Sequence, residues 1–215
     1  MIQLKELAKP QVLVDNALNW TKTVMDFINK GQKIPDSDKN KYNHIQVKNQ
    51  IKLETKEKCA YCESQVTHQY PGDIEHIIPK AIYPRLTFNW SNLTFACYWC
   101  NNGKRNYVEK KEAKLINPYK DKISQHLSFF GPLLMHVNES KRGEITWKKI
   151  KLNRQELIDR RTEKIKELQN LIDKYEREDV PALKAILLNE VIEFSNNEKE
   201  FSYMCICYLQ DKRIV

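Results

Sequence analysis

The chain has 215 residues, of which 41% are hydrophobic and 30% charged, enough for one good-sized domain or for a small module set in helical scaffolding whose surface is well solvated. Lysine and arginine number 36 against 28 acids, a net charge of +8 that suits a polyanionic partner such as nucleic acid. No apolar run approaches the roughly 20 residues of a membrane span, and the start, MIQLKELAKP, lacks the apolar core of a secretory signal, so a cytoplasmic location is expected and the six cysteines are read as metal ligands or core residues rather than disulfides.

The spacing of Val14, Leu18, Met25 and Phe27 predicts an amphipathic helix over 11–30, stopped by Gly31. A second helix is predicted over 37–58 from Tyr42, Ile45, Ile51 and Leu53, and the two make an N-terminal helical region, 1–58. From Cys59 the character changes to four cysteines, three prolines, short β-rich runs and many asparagines, marking a compact module over 59–116. Asn117 and Pro118 then break the chain, and HLSFFGPLLMHV followed by KRGEITWKKIKL reads as two strands around a turn centred on Gly143. A helix follows over 154–178, with Leu157, Ile158, Ile165, Leu168, Leu171, Ile172 and Tyr175 on one stripe. Pro181 opens another, through Leu183, Ile186, Leu187 and Val191, and FSYMCICYLQ is a buried helix or strand that takes Cys205 and Cys207 into the core. The fold class expected is α+β: a small zinc-stabilised module embedded in a mainly helical scaffold, with 117–215 as a β-hairpin and C-terminal helical region.

Cys59 and Cys62 flank two residues, as do Cys97 and Cys100, and 34 residues separate the two pairs. Four thiolates in two such knuckles suit a tetrahedral zinc and leave no open position for catalysis, so the zinc is expected to be structural. The separation exceeds the about 15–20 residues of a simple zinc ribbon, so the enclosed segment must be a structural unit of its own. It contains GDIEHIIPK at 72–80 and WSNL at 90–93, and CNNGK begins at its last cysteine. In a strand successive side chains point oppositely, so Glu75 and His76 serve different faces.

The order acid–histidine, asparagine, asparagine inside a two-knuckle frame resembles the HNH endonuclease family, whose ββα-metal fold is commonly held by such knuckles. The resemblance covers 59–106. It implies His76 as general base, Asn92 as the residue that orients it, and Glu75 and Asn101 as ligands of a catalytic divalent cation. Oxygen ligands favour Mg2+ or Mn2+ there. Glu75 stands where the family commonly has Asp, and Asn101 where it often has His. Asp73, Lys80 and His68 read as solvated neighbours, and Lys104 and Arg105 as phosphate contacts or a charged helix face.

The start of the chain, LINPYKDKISQHLSF after the module, the GEI segment and LNRQELIDRR resemble the PtuB type of HNH protein of Septu and some retron antiphage systems. That resemblance implies a partner, a PtuA-type ABC ATPase, and this sequence has no Gly-rich phosphate loop of its own. The stripe from Leu157 to Tyr175 and the apolar tail from Phe201 to Leu209 are the faces expected to dock it. A nuclease acting on DNA, with RNA or tRNA as other substrates, is the leading expectation. The alternative is a noncatalytic zinc module that binds nucleic acid or protein.

Overall fold

The computed structural model describes residues 1–67 and 70–215, so His68 lies outside the described residues. Helix α1 (Gln11–Asn29) follows Pro10, whose extended backbone and carbonyl start the helix. Its buried stripe is Leu13 and Val24 with Ala17 and Trp20 partly packed, one residue out of phase with the expected one, and Leu18 is 84% exposed. The predicted 37–58 helix is two pieces, α2 (Asp36–Lys39) and α3 (Ile45–Thr55). The break occurs because His44 caps α3: its Nδ1 accepts from Gln46 N at 3.2 Å. Tyr42 is thereby left in the linking turn and swings its ring edge-on to His76, centroids 4.6 Å apart.

Strand β1 (Asp73–His76) pairs antiparallel with β2 (Leu93–Ala96), Asp73 facing Ala96 and His76 facing Leu93, and α4 (Tyr98–Lys104) follows directly to complete a ββα unit. Gly72 leads into β1 at φ +69°, and a Cβ there would stand 2.1 Å from the Phe95 ring, so the strand can enter only through glycine. Glu54 ties α3 to this unit, accepting from Leu7 N at 2.7 Å and from the Tyr119 hydroxyl at 2.9 Å, while that hydroxyl also meets Thr94 of β2.

The second hairpin does not turn at Gly143. Strands β3 (Leu127–Phe130) and β4 (Leu133–His136) both lie within HLSFFGPLLMHV, and the turn is at Gly131 and Pro132. KRGEITWKK is helix α5 (Lys141–Lys149), started by Ser140, whose Oγ accepts from Gly143 N at 3.0 Å. Gly143 is needed for space: a Cβ would lie 2.2 Å from the His126 carbonyl oxygen. A β-branched, aromatic run was thus overridden by a cap and by packing.

Helix α6 (Gln155–Arg177) buries Leu157, Leu168 and Ile172 as its stripe predicts. Arg161 is buried with them, its Nη1 donating to Leu152 O at 2.8 Å and its guanidinium between the Phe129 and Phe201 rings. Helix α7 (Pro181–Glu193) packs on α6 but buries only Val191, and α8 (Ser202–Asp211) buries Met204, Cys205, Cys207 and Leu209. The FSYMCICYLQ segment is therefore a core helix. Lys58, just before the first knuckle, is buried and donates to the Asn197 and Lys199 carbonyls and to Ser202 Oγ, so one hydrophobic cluster runs from the N-terminal helices through the module to α8. Among the described residues no helix is long and apolar enough to cross a membrane.

Candidate active site and metal centre

The knuckle thiols converge: the Sγ atoms of Cys59, Cys62, Cys97 and Cys100 all lie within 4.8 Å of one another, with Cys62 and Cys97 at 3.9 Å. Tetrahedral Zn–S bonds of about 2.3 Å place sulfurs roughly 3.8 Å apart, so this donor set fits zinc. Arg154, at the start of α6, approaches Cys100 Sγ at 3.7 Å and Cys97 Sγ at 3.9 Å, placing positive charge beside the thiolates. The four-cysteine cluster thereby joins the module to the C-terminal helices.

The alternation of β1 separates two chemistries. Asp73 and Glu75 face α4, where Asn101 Nδ2 donates to Asp73 Oδ2 at 3.0 Å and Lys104 Nζ meets Glu75 Oε1 at 2.7 Å. His76 turns the other way, with Nε2 3.0 Å from the Thr87 carbonyl. A carbonyl only accepts, so Nε2 carries the proton and Nδ1 holds the free lone pair. Among the described residues no donor occupies Nδ1. Burial, with smaller contributions from the Lys80 and Lys104 charges, pushes the imidazole down to about 4, so it is neutral at pH 7.

Asn92 holds backbone, not the imidazole. Its Oδ1 accepts from Ile78 N at 2.7 Å, and its Nδ2 donates to the Ile78 and Leu86 carbonyls at 2.9 and 3.2 Å. Direct orientation of the ring, which the family resemblance implies, is replaced by a clamp on the turn that follows His76, and the Thr87 carbonyl selects the tautomer. A buried amide with its groups so committed fixes that turn.

The carboxylates differ in access. Glu75 is buried and ion-paired with Lys104, which also donates to the His76 carbonyl at 2.8 Å; burial raises the Glu75 carboxyl above its ordinary value and Lys104 opposes the rise. Lys104 is thus an internal strut and neither a phosphate contact nor part of a solvated helix face. Asp73 borders an open cleft of about 630 Å³ together with Tyr42, Lys48, Asn101 and Arg105. Asp73 is engaged by Asn101 and the Tyr70 hydroxyl, and Lys80 donates to the Tyr42 hydroxyl at 2.6 Å with its ammonium over that ring, so neither is a plain solvated neighbour. Tyr98 lines the cleft, and Trp99, 63% exposed, stands edge-on to it. Two signals for the missed residues were in the sequence: Asp73 is two residues before Glu75, on one strand face, and Lys104 is three after Asn101, one helical turn on.

Residues 59–107 match the family model described as HNH endonuclease. The Septu protein PtuB of Bacillus thuringiensis is 31% identical over 131 residues, which cover 60% of this chain and 47% of that protein. The Septu protein PtuB of Bacillus mycoides (strain KBAB4) is 32% identical over 158 residues, 60% of this chain and 54% of that protein. The chain spans about half the length of these curated relatives. It carries an HNH endonuclease domain and is distantly homologous to Septu PtuB proteins.

Proposed function

We propose that this chain is a divalent-cation-dependent nuclease in which His76 Nδ1 takes a proton from the water that attacks a phosphodiester. The observation that carries the reading is the neutral imidazole, its Nε2 pinned to the Thr87 carbonyl, within a segment that matches HNH endonucleases. Tyr42 links base and cleft, since it meets the His76 ring and lines the cleft beside Asp73. Asn92 holds the turn that positions the base. Asn101 and Asp73 offer the oxygen donors that suit Mg2+ or Mn2+, with Glu75 behind them on the same strand face. A cation bound there supplies positive charge for the departing oxygen. DNA is the first substrate class, with RNA or tRNA the other.

Asp73→Asn is expected to raise the Mg2+ concentration for half-maximal cleavage by about tenfold or more, with zinc content unchanged. If Glu75→Gln produces that shift and Asp73→Asn does not, the cation sits on Glu75, as the family resemblance implies. A parent protein that cleaves neither DNA nor RNA with Mg2+ or Mn2+ would remove the nuclease reading.

We infer from the resemblance to PtuB-type proteins, which the similarity to two Septu PtuB proteins supports, that an ABC ATPase of the PtuA type holds this nuclease in check within an antiphage system. The faces expected to dock it, on α6 and α8, are spent on the chain's own core. Of the three C-terminal helices, α7 is the one with exposed apolar residues among the described ones, at Leu183, Ile186 and Ile192, Ile186 being 54% exposed, with Val180 just before the helix. The double substitution Leu183→Lys and Ile186→Lys is expected to abolish co-purification with the ATPase while leaving the melting temperature unchanged. Full retention of the partner would rule out docking through α7.

A further inference from the structure

A second cavity, of about 410 Å³, opens where the chain leaves β1. Such a volume lies in the about 300–1,000 Å³ range of small-molecule sites. Its apolar wall is Ile77, Ile78 and Leu86, and three aromatic rings, Tyr61, Tyr83 and Tyr107, line it. Tyr61 is buried, and its hydroxyl has no hydrogen-bond partner among the described residues, so the lining contains a polar group awaiting a complement. Around the rim stand Lys110, Lys111, Lys114 and Lys120, all exposed, and among the described residues none of them forms an ion pair. Glu109 is the single acid of the described lining.

We propose that this cavity binds one phosphorylated nucleoside, its base against the tyrosines and apolar wall and its phosphate on the lysine rim. A bare anion has no use for aromatic and branched aliphatic walls, and an apolar ligand has none for four unneutralised ammonium groups. A nucleotide has both a flat π-face and a negative charge, and its base edge offers donors and acceptors for a buried hydroxyl. Lys104 lines this cavity while holding Glu75 and the His76 carbonyl, so a nucleotide here sits against the strut of the catalytic strand. The nucleotide has two sources: a residue of the bound nucleic-acid strand, or a free mononucleotide.

The two are separated by calorimetric titration of the full chain, without added Mg2+ or Mn2+ so that binding is read apart from cleavage. The ligands are AMP, GMP, CMP, UMP, adenosine, inorganic phosphate and a short single-stranded oligonucleotide. A free-nucleotide site gives at least one mononucleotide binding tenfold or more tighter than adenosine and phosphate. A strand-nucleotide site gives no such binding but a tight oligonucleotide. In either case Tyr83→Ala and the pair Lys111→Glu with Lys114→Glu each weaken the binding about tenfold, with melting temperature unchanged. Tyr83, Lys111 and Lys114 are all exposed, at the surface of the cavity. Binding that responds to the lysine pair but not to Tyr83→Ala, or no binding by any of these ligands, overturns the proposal.

Discussion

His76→Ala is expected to lower cleavage by about 10²- to 10⁴-fold, the range for loss of a positioned general base, while zinc content and nucleic-acid binding stay near those of the parent. Two features separate this outcome from simple damage. Among the described residues the imidazole makes one hydrogen bond, to the Thr87 carbonyl, so its removal leaves one acceptor to rehydrate rather than a collapsed network. The Asn92 clamp on Ile78 and Leu86 and the Lys104 bond to the His76 carbonyl use backbone and survive the substitution. The ring's downward shift to about 4 also fixes the pH behaviour. An imidazole of ordinary pKa, about 6.5, would be mostly protonated at pH 6 and cost most of the rate there; this one stays neutral, so the parent should keep its pH 7 rate at pH 6. Equal cleavage by His76→Ala and parent, in preparations free of contaminating nuclease, would return the protein to the noncatalytic zinc-module reading.

Replacing Cys59 and Cys62 together by serine is expected to unfold the module. Its two strands have four residues each, and an isolated two-stranded hairpin is marginal at best in water. Structural zinc in a small site contributes about 10 kcal/mol or more, of the same order as the whole stability of an ordinary domain. The damage should spread, because Arg154 at the head of α6 would lose the thiolates it faces and the module shares its hydrophobic cluster with α6 and α8. Circular dichroism and elemental analysis check the claim together: loss of zinc should accompany loss of the cooperative melt. A parent protein that melts cooperatively with no bound zinc, or a double serine variant that melts as the parent does, would end it.

Some of this was written in short-range pattern. The two Cys-x-x-Cys knuckles implied a four-thiolate centre because a tetrahedral metal asks for little more than four sulfurs on short tethers, and the sulfurs do converge. The opposite facing of Glu75 and His76 followed from the two-residue period of a strand, and the buried stripe of α6 from the helical period. These depend on neighbours in the chain. The rest depended on which groups arrive from elsewhere. That Asp73 borders the cleft while Glu75 is closed off was decided by Lys104 reaching back from α4, and that Asn92 grips backbone rather than imidazole by the path of the turn at 77–87. The helix at Gly143 was decided by the Ser140 cap together with packing, and glycine is needed there because the His126 carbonyl, 17 residues earlier in sequence, lies 2.2 Å from where a side chain would begin. The sequence by itself determined the four-cysteine cluster and the opposite facing of Glu75 and His76, because both reside in residue type and local spacing. Only the tertiary structure decided which carboxylate is open, what fixes the imidazole tautomer and which of the three C-terminal helices is left with exposed apolar residues, because ion pairing, hydrogen bonding and burial are settled between segments that no local period connects.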